Sequence, residues 1–372
     1  MVSALAEDGA EESDLVDPRD AAESVGLAYV DTDKPGFGRV AEGDGFGFRD
    51  LKGRTISDPK VIERIRHLAI PPAYTDVWIC SKANGHIQAT GRDARGRKQY
   101  RYHPKFREVR DGTKYEHMTA FAAALPSLRD TVRRHMGLRG LPRQKVLATI
   151  VYLLETTLIR VGNEDYARQN QSHGLTTLED EHVAVEGSTL HFEFKGKSNK
   201  MWKLDVRNKR VADIVKRCED LPGQHLFQYL DHNGKAHAVG SGDVNAYLRE
   251  ITGRDVTAKD FRTWAGTVLA AMALHEIGAI DGQAAAKKNV RAAIEKVSAR
   301  LGNTPTICRK CYVHPEVLNS YMDGALLLEI KQEVETELRE AAPQLKPEEA
   351  AVLALLKARL QHAIVHGQPA TH

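Results

Sequence analysis

The chain has 372 residues, 42% of them hydrophobic, which is enough for two domains with real cores and excludes a disordered chain. Its net charge of +3 hides an acidic stretch over residues 1–25 and a dense basic run from Arg92 to Arg110, so the remainder is basic and suits a polyanionic partner. No apolar run reaches the about 18 residues of a membrane span, and the acidic start lacks the basic and apolar parts of a signal peptide. A cytoplasmic setting without membrane contact is therefore expected.

Residues 1–25 read as an acidic disordered tail, rich in Ala, Glu and Asp. Residues 26–110 predict a small β-rich N-terminal domain. Its β-prone pieces LAYV, FGF, VWIC, IQAT and KQYRYH alternate with turn signals such as Asn84-Gly85 and Asp93–Gly96, and one helix is expected near Pro59 to Ala69. The polar DGTK stretch, Asp111 to Lys114, marks a break near Arg110. Residues 111–372 predict a mainly helical domain, so the fold class is α+β.

Within that second domain, a helix from Pro142 places Val146, Leu147, Ile150, Leu153, Leu154 and Leu158 on one side before Gly162 ends it. Alternating apolar and polar residues near 183–206 predict a small β insert. Thr257 and Asp260 fit a capping box opening a helix through Arg262, Trp264, Val268 and Met272. One more amphipathic helix is expected over Pro347 to Ile364.

Of the four cysteines, Cys80 and Cys218 are isolated, while Cys308 and Cys311 form a pair without a second Cys or His pair nearby. This suits a reducing compartment and gives no metal site. His275-Glu276 does not continue to a second His at zinc-protease spacing, and no Gly-rich Lys-Ser/Thr loop exists for ATP.

Other residues do carry chemistry. In GRDARGRKQYRY, Gly91 to Tyr102, strand alternation puts Arg97, Gln99 and Arg101 on one face and Tyr100 and Tyr102 on the other. Such a strand suits a nucleic-acid groove, or it is a solvated edge kept soluble by charge. Arg160 stands where an apolar helix ends, a place that favours a cation on dipole grounds alone. Lys197 falls at a hairpin tip. Arg262 falls in the first turn of a helix, where the dipole disfavours a cation, so an anionic partner is expected. The run Gly302 to Tyr312, GNTPTICRKCY, closes the series with a tyrosine. Two arginines, a lysine and a tyrosine are what metal-free transesterification at a phosphodiester needs: a nucleophile, donors for the phosphorus oxygens and a proton source for the leaving oxygen.

The ordered words GRKQY, IRVGNEDYARQNQSHGLTTL, FKGK, KDFRTW and LGNTPTICRKCY together resemble the type IB DNA topoisomerases, specifically the compact poxvirus-like enzymes of bacteria. The resemblance runs from about Leu27 to beyond Tyr312. It implies a C-shaped clamp with a catalytic domain of the topoisomerase IB and tyrosine recombinase type. It further implies a monomer acting on duplex DNA at the nucleoid without nucleotide or metal. By the same resemblance Tyr312 matches the nucleophile that leaves a 3'-phosphotyrosine, and Arg160 and Arg262 match the pair that holds the non-bridging oxygens. Lys197 matches the acid for the 5'-oxygen, Lys259 a second lysine assisting it, and Gln99, Tyr100, Tyr102 and Tyr166 residues that touch DNA. Asn303 stands where the poxvirus pattern has histidine; an amide can donate a hydrogen bond but cannot act as a base near pH 7. Tyrosine recombinases, the alternative, usually carry His where this chain has Lys259, and their N-terminal domain is helical. A DNA-binding module without catalysis would leave the placement of Tyr312 unexplained.

Overall fold

The computed structural model describes residues 18–43, 45–94, 96–278, 282–326 and 345–366. The chain forms two compact units that divide between His117 and Met118.

In the N-terminal unit, strands β1 (Phe37–Glu42), β2 (Gly45–Arg49), β3 (Thr75–Ile79), β4 (Ile87–Arg92) and β5 (Lys98–Tyr102) form an antiparallel sheet in the order β2-β1-β3-β4-β5. A helix over Pro59–His67 covers it, burying Ile65 against Phe48, Ile79 and Ala89. Pro59 presets the first turn, and the Asp58 carboxylate caps it by accepting the Lys60 N–H at 2.9 Å.

Two expectations fail here. LAYV makes only a single bridge, Ala28 to Gly85, whereas Phe37–Glu42 is a full strand. That strand buries neither face fully, so it carries no alternating pattern to read. The acidic tail likewise stops short of residue 25, because Pro18–Ser24 is helical. Its small Ala21 and Ala22 are buried against Leu27 and Phe106. Residues 1–17 of that expected tail lie outside the described residues.

The DGTK stretch is no break either: one helix spans Pro104–Met136, through Arg110 and past the division of the units. Met118, Phe121, Leu125, Leu128 and Val132, buried at helical spacing, hold its second half in place.

The larger unit is mainly helical. Among its helices are α4 (Arg143–Thr157), α5 (Glu164–Asn170), α8 (Ala258–Ile277), α9 (Gln283–Leu301) and α10 (Pro305–Cys311), counting from Pro18–Ser24 as α1. The β insert is a three-stranded antiparallel sheet, β6 (Val183–Glu186), β7 (Thr189–Lys195) and β8 (Met201–Arg207). A short hairpin of Gln228–Leu230 and Ala236–Ala238 was not expected from the sequence.

The Pro347–His366 helix buries every residue from Ala350 to Leu356, so over that span it is enclosed rather than amphipathic. Arg129 tethers its start. The guanidinium makes two hydrogen bonds to Glu349, at 2.8 and 2.7 Å, and one to Glu155 at 2.7 Å. Among the described residues no helix is long and apolar enough to cross a membrane, and no cluster of three His, Cys, Asp or Glu side chains could hold a metal ion.

Candidate active site

Helix α4 ends at Thr157, five residues before the expected Gly162, with Leu158 in the left-handed region at φ 61°. The chain therefore leaves the helix axis before Arg160, which sits on a loop and not on a helix terminus. Backbone pairing braces that loop. The Leu175 N–H donates to the Arg160 carbonyl at 2.9 Å and the Thr176 N–H to the Val161 carbonyl at 2.6 Å. Glycine is required at Gly174, where a Cβ would stand 2.6 Å from the Arg160 carbonyl oxygen.

Helix α8 opens as predicted, with the Asp260 carboxylate accepting the Thr257 N–H at 2.8 Å and its hydroxyl at 3.0 Å. Arg262 follows in the second turn and is only 3% exposed. Its expected anionic partner is not a carboxylate. The guanidinium donates to the Leu158 carbonyl, to the Leu301 carbonyl at 2.7 Å and to Asn303 Oδ1 at 2.9 Å. Leu158 and Leu301 lie at the C-terminal ends of α4 and α9, whose carbonyls carry partial negative charge and lack helical partners. Two helix ends thus supply the counter-charge. Burial pushes the Arg262 guanidinium down to about 10, with Tyr312 opposing and Arg160 adding to the shift, so it stays cationic at neutral pH.

Asn303 is placed by how α9 stops. Gly302 takes φ 66°, and the Asn303 N–H returns to the Ser298 carbonyl at 3.0 Å, closing a Schellman turn. The amide oxygen then faces both arginines, accepting from Arg160 Nη2 at 2.6 Å as well as from Arg262. Thr304 caps α10 by accepting the Ile307 N–H at 3.3 Å, and Pro305 starts it.

Tyr312 ends α10. The Arg262 guanidinium carbon lies 5.1 Å from its ring centroid. Burial pushes the phenol up, but the charges of Arg262 and Arg160, a hydrogen bond from Arg262 and the charge of Lys259 outweigh it and hold the phenol below its ordinary value. Gly266 receives the Tyr312 backbone: a Cβ there would meet the Tyr312 carbonyl oxygen at 2.5 Å. Thr267 secures the far side by accepting the His314 N–H at 3.0 Å.

Five sequence-predicted residues, Tyr312, Arg160, Arg262, Asn303 and Lys259, are therefore coupled in one place. Lys197 and Tyr166 form a second pair. Lys197 opens the turn between β7 and β8, and its ammonium lies 5.9 Å from the Tyr166 ring centroid. Tyr166 is fixed on α5 by the Asn163 cap, whose side chain accepts the Tyr166 N–H at 2.9 Å.

The basic strand belongs to the N-terminal unit. Tyr100 and Tyr102 stack at 5.9 Å, as alternation predicts. Gln99 meets the same carboxylate as Arg97, in keeping with the alternation, but it is buried. It is 4% exposed and donates to Asp93 Oδ2 at 3.2 Å, the same carboxylate that pairs with Arg97 at 2.7 Å. Arg101 donates to the Ala69 carbonyl at 3.2 Å.

Residues 103–341 match the model of the family described as eukaryotic DNA topoisomerase I, catalytic core, and residues 45–93 that of the bacterial DNA topoisomerase IB N-terminal domain. A DNA topoisomerase 1B of Acanthamoeba polyphaga mimivirus is 32% identical over 78% of this chain and 88% of its own length. The chain belongs to the type IB DNA topoisomerases. The Vaccinia virus DNA topoisomerase 1B is 20% identical over 73% of this chain and 85% of its own, which agrees with a poxvirus-like member of the family. DNA topoisomerase 1 of Mycosarcoma maydis is 23% identical over 44% of this chain.

Some residues of this topoisomerase's site escaped the sequence reading. Gly266 had a signal, since a glycine inside a helix costs about 1 kcal/mol against alanine and needs a packing reason. Gly174 had none, because the Arg160 carbonyl it makes room for lies fourteen residues away in sequence.

Proposed function

We propose that this topoisomerase relaxes supercoiled DNA by cutting one strand through Tyr312, letting the broken strand swivel and resealing it, with neither ATP nor metal. The observation that carries this reading is the Tyr312 phenol held beside Arg262, with Arg160 tied to the same group through Asn303. The Tyr312 phenol gives up its proton to water, its oxygen attacks phosphorus, a P–O bond to Tyr312 forms, and the bond to the 5'-oxygen breaks. Arg160 and Arg262 stabilise the non-bridging oxygens, Lys197 gives its proton to the departing 5'-oxygen, and Lys259 assists. The lowered phenol value reduces the cost of the nucleophile's own deprotonation. Guanidinium and ammonium groups thus do work that a divalent cation does elsewhere, and the tyrosyl ester keeps the phosphodiester energy for resealing.

Duplex DNA is the partner and the protein acts as a monomer. Arg97, Arg101, Tyr100, Tyr102 and Tyr166 contact the duplex, while the inward-turned Gln99 orients Asp93 and through it Arg97. Incubation with supercoiled plasmid in EDTA without ATP should give stepwise relaxation. Tyr312→Phe should bind DNA but neither relax it nor form a covalent adduct. A strict metal requirement, or an adduct formed by the Phe variant, overturns the reading.

A further inference from the structure

Trp202 stands where the lysine-bearing hairpin meets the turn that carries Asn303. It lies on β8, 8% exposed, with its ring parallel to Phe194 at 6.3 Å. Two glycines receive its edges. A Cβ at Gly196 would stand 2.6 Å from Trp202 Nε1, and one at Gly302 would stand 2.8 Å from its Cζ2. The residues that follow these glycines are Lys197 and Asn303. Lys200 reinforces the junction, donating from Nζ to the Ala299 carbonyl in the last turn of α9 at 3.0 Å.

Gly302 is needed in any case for its positive φ, but Gly196 is not. Its φ is −96°, a conformation open to any residue, so glycine there answers to the nearness of the indole. A hairpin tip is otherwise among the least constrained parts of a fold. The indole gives this tip an external anchor, and that anchor is the turn whose Asn303 joins the two arginines.

We propose that Trp202 is a positioning residue for leaving-group protonation, holding the Lys197 hairpin against the Asn303 turn so that ammonium and guanidinium groups keep one spacing around the phosphate. The inference rests on the reading of Lys197 as proton donor. A donor displaced by an ångström can forfeit about 10²-fold in rate, within the about 10²–10⁴-fold that a general acid contributes.

The test is single-turnover cleavage of two substrates, one with the bridging 5'-oxygen and one with sulfur in its place, whose thiolate leaves with little need of a proton. On the oxygen substrate Trp202→Ala should be about 10- to 10²-fold slow, and on the sulfur substrate nearly as fast as wild type. Trp202→Phe, which keeps the stack on Phe194, should be less impaired. Gly196→Ala, a change at one hairpin residue, should show the same split if Trp202→Ala fails to fold, and non-covalent DNA affinity should hold in all variants. If Lys197→Ala recovers on sulfur but the Trp202 and Gly196 variants are equally slow on both substrates, Trp202 has no such role. If Lys197→Ala itself fails to recover, the acid reading falls and this proposal falls with it.

Discussion

At the scale of single residues, Asn303 joins two functions that its letter could not reveal. Its amide oxygen takes hydrogen bonds from Arg160 and Arg262, and in the proposed reaction its NH₂ would donate to a phosphoryl oxygen. Asn303→Ala should slow cleavage by about 10²–10³-fold, the usual cost of one lost donor to a transition-state oxygen. DNA affinity should barely change. Asn303→His keeps one polar nitrogen at similar reach and should outperform Ala, whereas Asn303→Asp would ion-pair with both guanidiniums in place of the phosphate and should fall below it. Rapid-quench cleavage measures the order His, Ala, Asp; an Ala variant as fast as wild type means that Asn303 only terminates α9. The resemblance in the sequence singled out Tyr312, both arginines and Asn303. The partners of Arg262 stayed hidden because two of them are backbone carbonyls of Leu158 and Leu301, and side-chain letters do not report helix ends.

At the scale of elements, β5 closes one edge of its sheet, so its charges have two possible uses. Arg97 already pairs with Asp93, and Arg101 rests on a backbone carbonyl. Substituting both with alanine should flatten the salt dependence of DNA binding by a slope of roughly one per lost phosphate contact. Titrations at several salt concentrations decide it, and an unchanged slope returns the strand to a merely solvated edge. The strands with strong alternation and the helices with caps were legible in the sequence. Phe37–Glu42 was not, for want of a fully buried face. The Pro347–His366 helix reads as amphipathic yet is enclosed from Ala350 to Leu356, because both α8 and the Pro315–Met322 helix pack against it.

At the scale of the whole molecule, the shift from β-prone to helical composition marked two regions, but their boundary was hidden inside the continuous Pro104–Met136 helix. The larger unit is tied together by Arg129, which joins Glu155 to Glu349 near the other end of the chain. Burial pushes the Glu349 carboxyl up, but hydrogen bonds and charge from Arg129, with the Lys346 N–H, outweigh it and hold it below its ordinary value. A carboxyl lowered by folding contributes stability that is fully present above its unfolded value, about 4.3, and is lost as pH falls through the lower folded value. Glu349→Gln should therefore cost about 1–3 kcal/mol at pH 7, less than a fully buried pair because Arg129 keeps Glu155, and the gap should close as pH falls well below 4. Denaturant melts across that range are the measurement, and a gap independent of pH would remove the ion pair from the account.

The close approach of Gly266 to Tyr312 has a consequence for how this site can change over generations. Lys259, Arg262 and Gly266 lie on successive turns of α8, so one rigid screw sets two cations and the seat of the Tyr312 backbone. Each residue along that screw turns the following ones by about 100°. Substitutions between Arg262 and Gly266 alter surfaces one at a time, but inserting or deleting a single residue swings the seat away from the cations. In this stretch the geometry constrains length more tightly than identity.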